Sequence, residues 1–136
     1  MARTRNQGSK WIRPDKRLAI YLRDDCRCIY CGRDHTMGAV LTLDHVVACE
    51  LSDTPDNSES NLVTSCLSCN SSKQDQTMRS WYKVLRANGF DTNKVSARIR
   101  RNTAKPLASY RRQAKLLIES MDCSDFDNLG QLAAAA

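Results

Sequence analysis

The chain has few large side chains with which to fill an interior. Only 6% of its 136 residues are aromatic, and a chain of this length supports one domain at most. A structural metal would supply cohesion that so small a core lacks. There is no run of 18 apolar residues, which excludes a membrane-spanning helix. The basic N-terminus (Arg3, Arg5, Lys10, Arg13) has no apolar stretch behind it, so no secretory signal is expected. Histidine is scarce: His35 and His45 are the only two. Any imidazole chemistry must come from one of them.

Acids are nearly missing from two long stretches. Residues 1–23 hold seven Lys/Arg against Asp15 alone, and residues 73–115 hold twelve against Asp75 and Asp91. The carboxylates gather instead at 50–59 and 119–127. The net charge of +6 therefore understates two basic arms, which suit a polyanion such as nucleic acid.

The seven cysteines are an odd number, and four stand in metal-ligand spacing. Cys28-Ile29-Tyr30-Cys31 and Cys66-Leu67-Ser68-Cys69 are two Cys-x-x-Cys knuckles. Each tight turn offers two sulfurs to one ion, with Gly32 placed for the turn. Four thiolates make a closed tetrahedral Zn2+ site with no open position for substrate. Thirty-four residues separate Cys31 from Cys66, more than a compact zinc ribbon has. The ion must staple the two ends of a longer insertion, and its loss should unfold the domain. Cys26 is an alternative to Cys28, but Cys26-Arg27-Cys28 is too close for the usual knuckle. Cys26, Cys49 and Cys123 are read as ordinary small residues. His35 is read as a loop residue rather than a ligand. The thiol content points to a reducing, cytoplasmic setting rather than a disulfide framework.

Periodicity gives the organisation. Pro14-Asp15 opens an amphipathic helix to about residue 24, with Leu18, Tyr21 and Leu22 in helical spacing. Val40–Leu43 reads as a strand continuing into Val46-Val47, residues 50–60 as a loop, and Leu62–Thr64 as a second strand. Ser65 is the expected cap of a helix carrying Cys69, Asn70 and Lys73. Met78, Trp81, Tyr82 and Leu85 form a helical stripe ended by Asn88-Gly89. Asp91 or Thr92 caps the next helix, and Pro106 opens the last. The reading divides the chain into a basic flexible arm (1–14), a core (15–77), a helical extension (78–120) and a disordered tail (121–136). The fold class is small α+β. The apolar stripes are read as core rather than as a partner surface.

Between the knuckles stand Leu43-Asp44-His45-Val46 and Asn61-Leu62-Val63, and directly after them Asn70-Ser71-Ser72-Lys73. In this order and spacing, over about residues 17 to 75, the chain resembles the HNH endonucleases. The resemblance implies a ββα-metal core and cleavage of nucleic-acid phosphodiesters. It implies that Asp44 and Asn70 bind a catalytic divalent cation, and that Asn61 bonds backbone near His45 and holds that residue in register. The family often has histidine where this chain has Asn70.

The residues argue the same chemistry. Phosphodiester hydrolysis needs a base for the attacking water and a cation on the departing oxygen. His45 is the natural base, because imidazole titrates near neutral pH. One carboxylate and one amide leave coordination positions for water and phosphate, which suits Mg2+ or Mn2+. Adjacent strand residues point to opposite sides, so Asp44 and His45 share a site only if the strand ends or bends there; the resemblance implies that it does. Lys73 either touches phosphate or finishes a solvated helix face.

The expected function is a metal-dependent endonuclease acting on DNA, with RNA open, in a prokaryotic or phage-encoded setting. The alternatives are a zinc-dependent nucleic-acid-binding module without catalysis, and an adaptor whose C-terminal helices dock on a larger machine.

Overall fold

The computed structural model describes residues 11–47 and 56–120. The expected arm lies outside these residues up to position 10, as do the tail from 121, Cys49, Cys123 and part of the 50–60 loop.

Helix α1 (Pro14–Arg23) starts where Pro14 pre-sets the backbone without wasting a donor, and its first and last turns carry Asp15 and Arg23. The packed chain begins before it, at Trp11 and Ile12, which the sequence reading placed in the basic arm. Strands β1 (Leu41–His45) and β2 (Leu62–Cys66) pair antiparallel, from Leu41 opposite Cys66 to His45 opposite Leu62. Helix α2 (Leu67–Lys73) follows β2 without a break. Ser65 does not cap it: pairing with Thr42 holds Ser65 in β2. The cap is Cys66, whose Sγ accepts from the Cys69 amide at 3.3 Å.

Helices α3 (Met78–Ala87), α4 (Thr92–Thr103) and α5 (Ala108–Glu119) complete the described chain. Thr77 caps α3, and Asp91 caps α4 through the Asn93 and Lys94 amides. Asn88 and Gly89 end α3, Gly89 at φ +88° where an L side chain is strained. Helix α5 starts two residues after Pro106, not on it. No helix among the described residues is long and apolar enough to cross a membrane. Two strands, an α2 that seats on them and further helices make a mixed α+β domain, as expected.

Two buried clusters flank the sheet. Leu41, Leu43 and Leu62 pack with Leu18, Ile20 and Tyr21 of α1 and with Ala114 of α5. Val63 and the first knuckle's Ile29 and Tyr30 pack with Trp81 and Leu85 of α3 and with Val95 and Ile99 of α4. The extension is thus part of the core. Asp15 ties α1 to α5 through Arg111, at 3.0 Å. Burial alone would push the Asp15 carboxyl up, but the Arg111 guanidinium beside it holds it below the usual carboxylate range.

The outer edge of β2 has no third strand among the described residues, and its backbone groups are satisfied otherwise. The Asp24 carboxylate accepts from the Thr64 amide at 2.8 Å, and the Ile29 amide donates to the Thr64 carbonyl at 2.9 Å. Arg23 donates to the Leu62 carbonyl at 2.7 Å and the Glu59 carbonyl at 2.9 Å. Its guanidinium also forks onto Asp24 at 2.8 and 3.1 Å, and both side chains are fully buried. Removing one member of such a pair strands the other charge in the interior. Asp24→Ala should therefore cost about 3–5 kcal/mol, read as a lower urea midpoint at unchanged slope.

Candidate functional site

The strongest cluster is the sulfur quartet. The Sγ atoms of Cys28, Cys31, Cys66 and Cys69 all lie within 4.8 Å of one another, with Cys31 and Cys66 at 3.8 Å. Four sulfurs about 2.3 Å from one tetrahedral ion stand about 3.8 Å apart, so the donor set and its spacing fit zinc. Cys26 stands outside the cluster, its thiol pushed up to about 11 by burial and by the neighbouring Asp25 and Asp24 carboxylates. Within the cluster, hydrogen bonds from Cys31, Cys66 and Cys69 hold Cys28 well below the usual thiol range. Cys69 is driven far up, because its proton is shared with those neighbours. A dication in their midst is what allows all four to ionise. His35 is exposed in a short 3-10 turn, away from the quartet.

The sheet and α2 carry the second group of residues. β1 ends at His45, and the alternation of the strand sends Asp44 and His45 to different partners. Asp44 lies on the Tyr30 and α2 side. Its Oδ2 accepts from the Tyr30 hydroxyl at 2.5 Å and faces Lys73 Nζ at 3.1 Å. Burial pushes the Asp44 carboxyl up, against the pull of the Lys73 charge and the Tyr30 hydroxyl. Tyr30 is itself held well above the usual phenol range by its burial and by the Asp44 charge.

Lys73 corrects the sequence reading. It is fully buried rather than on a solvated helix face, and its Nζ also donates to the His45 carbonyl at 3.0 Å. It therefore ties the end of α2 to both residues of the Asp44-His45 pair. Asn70, one turn earlier on the same face of α2, donates its amide nitrogen to Thr42 Oγ1 at 2.9 Å and to the Leu43 carbonyl at 3.1 Å. Both partners here accept, which fixes the amide's orientation.

His45 lies on the Trp11 side. Its Nε2 meets Asn57 Oδ1 at 2.7 Å, and the Trp11 ring lies 5.2 Å away, tilted by 36°. An amide oxygen only accepts, so His45 Nε2 donates to it. Lys16 holds the Asn57 carbonyl at 2.6 Å. His45 is close enough to bias the ionisation of Asp44 and Asp56. Asn61, buried behind this corner, accepts from the Val47 amide at 2.8 Å. It donates to the Asp56 carbonyl at 2.8 Å and the Val47 carbonyl at 3.3 Å.

The structure thus brings Asp44, Lys73 and Tyr30 into one buried contact, seats Asn70 on the same strand, and places His45 with Asn57 and Trp11. Sequence reasoning missed Tyr30, Trp11 and Asn57. For Lys73 a signal existed: its three-residue spacing from Asn70 puts both on one helix face.

A divalent cation would find hard oxygen donors here. A carboxylate has about four lone-pair positions. Tyr30 and Lys73 occupy those of Oδ2, while Oδ1 has only Lys73 at 3.4 Å. Asp44 Oδ1 and the Asn70 amide oxygen are the two oxygens that could ligate such a cation, and an ion with so few protein ligands completes its shell with water and phosphate.

Two antiparallel strands, a helix seated on them and a sulfur staple at the strand-helix junction define a ββα-metal unit. Residues 28–76 match the family model described as HNH endonuclease. No curated protein and no solved structure matches the chain. A domain of this family is of nuclease type and points to nucleic-acid chemistry, and α3 to α5 lie outside the matched stretch.

Two tests address the supports of the site. Structural zinc contributes roughly 10–16 kcal/mol, as much as the whole stability of a typical domain. Chelation of the zinc-loaded chain should abolish its cooperative melt in circular dichroism, and added Zn2+ should restore it. Asn61→Asp replaces the buried N–H donors with a carboxylate oxygen that faces the Asp56 and Val47 carbonyls. It should cost about 1–3 kcal/mol by chemical denaturation.

Proposed function

We propose that the protein is a metal-dependent endonuclease that hydrolyses phosphodiester bonds of DNA. The observation that carries this reading is His45 held at the exit of β1 inside the stretch that matches the HNH endonuclease model, with its Nε2 donating to Asn57.

In this reading His45 Nδ1 takes the proton of a water that attacks phosphorus. The bond from phosphorus to the leaving deoxyribose oxygen then breaks. A divalent cation, Mg2+ or Mn2+, held by Asp44 and Asn70 would supply positive charge for that departing oxygen. Asn61 positions the base by bracing the backbone two residues beyond it. Lys73 positions it through the His45 carbonyl and holds the Asp44 carboxylate in its buried seat. The basic N-terminal segment and extension supply phosphate contacts, so affinity should fall with salt. A cytoplasmic setting in a prokaryote or phage goes with the reduced thiol quartet.

A supercoiled-plasmid assay with Mg2+, Mn2+ or EDTA tests the reading. His45→Ala should retain DNA binding and lose about 10²–10⁴-fold in nicking rate. An unchanged rate would sink the base assignment. A folded, zinc-loaded wild type that binds but never nicks would favour the binding module.

A further inference from the structure

A second charged feature lies across the sheet from His45. A cavity of about 140 Å³ opens between α4 and the first knuckle. Arg98, Arg101, Lys105 and Asn102 line it from α4 and its end, and Arg27 and Asp25 from the chain leading into the knuckle. Asp24 also reaches it, but both its oxygens are held by Arg23 and one also by the Thr64 amide. Asp25 is therefore the one lining carboxylate among the described residues not already neutralised, facing Arg98, Arg101 and Lys105; Arg27, the fourth lining cation, also meets Asp34 at 3.8 Å.

The decisive atom is Arg98 Nε. It is buried and has no hydrogen-bond partner, and few side-chain atoms among the described residues share that state. A buried guanidinium N–H without an acceptor is costly. Arg98 is held there by α4, whose Val95 and Ile99 pack into the core on either side of it. The Arg98 guanidinium is thus incompletely satisfied beside a cationic hollow, the complement of an anion with several acceptor oxygens.

We propose that this cavity is a binding site for a backbone phosphate of the nucleic acid, engaged by the Arg98 guanidinium with Arg101, Lys105 and Arg27 around it. A phosphodiester offers two anionic oxygens, which match the planar fork of arginine. The cavity lies beyond the outer edge of β2, and His45 lies on β1 at the other edge. Because α4 lies outside the matched HNH stretch, this anchor belongs to the chain's own extension. The proposal rests on nucleic acid as the partner but not on His45 as the base.

The test uses the full zinc-loaded chain carrying His45→Ala, so that no substrate is consumed. Binding to a fluorescent 20-base-pair duplex is measured by anisotropy over a range of salt. Adding Arg98→Gln should weaken binding roughly tenfold and reduce the log–log salt slope by about 0.9. Arg98→Lys keeps the charge and loses the fork, so it should also weaken binding. If Arg98→Lys binds as the parent does, a diffuse charge field replaces the proposed pocket, and the proposal fails. Unchanged affinity and slope in Arg98→Gln overturn it as well. Should the Arg98 variants fail to fold, Lys105→Gln gives the same readout, and an unchanged slope there is equally fatal. A titration with inorganic phosphate, followed at the Arg98 Nε–H by NMR, separates the two sources of the anion. A phosphate-induced shift together with an unaltered duplex slope would assign the cavity to free phosphate and overturn the backbone reading. A parent chain that binds no duplex would remove the partner itself, a failure visible before any Arg98 variant is made.

Discussion

The fold depends on how the open edge of β2 is closed. A two-stranded sheet on its own is marginal in water, and each strand leaves a row of backbone groups without partners. Here one buried ion pair, Arg23 with Asp24, replaces a third strand. The carboxylate accepts from one strand amide, and the guanidinium covers two carbonyls near the strand's start. This is the arrangement in which buried charges are tolerable: each is paired, and the remaining donors and acceptors are used. Because the pair sits at the end of α1, it also sets where the chain turns toward the first knuckle. The sulfur quartet then has its position defined from both ends of the insertion.

The site hangs on that frame through backbone contacts more than through its functional side chains. Lys73, Asn70 and Asn61 all bond main-chain atoms at or beside the Asp44-His45 pair. The exit of β1 is thereby fixed from α2 on one side and from the start of β2 on the other. Preorganisation of this kind is what the proposed hydrolysis would need, since a site already in place has no reorganisation left to make.

Much of this was legible in the sequence, for identifiable reasons. The knuckles, the strand-loop-strand-helix order and the α3 stripe are written in local spacing, and local spacing survives folding. Ser65 misled because hydroxyls are the usual caps, and a thiol took the position once pairing with Thr42 drew Ser65 into the strand. Trp11 stood in a polar, basic stretch, and nothing local says that its ring would lie beside a histidine 34 residues later. Tyr30 and Asn57 were hidden for the same reason: each acts on a residue far along the chain. Lys73 was ambiguous because a lysine near a helix end is ordinarily solvated, and only the buried Asp44 gives it cause to turn inward.

Cys66 does three things at once. It ends β2, its sulfur belongs to the quartet, and the same sulfur caps α2. Few positions are so constrained: a serine there could still cap the helix but would forfeit the metal, and a valine could still extend the strand but would forfeit both. A lineage drifting by single substitutions therefore has no neutral step at this position. The metal staple and the helix bearing Asn70 and Lys73 are inherited or lost together, so a descendant that abandoned its zinc would not keep a half-formed site as a relic.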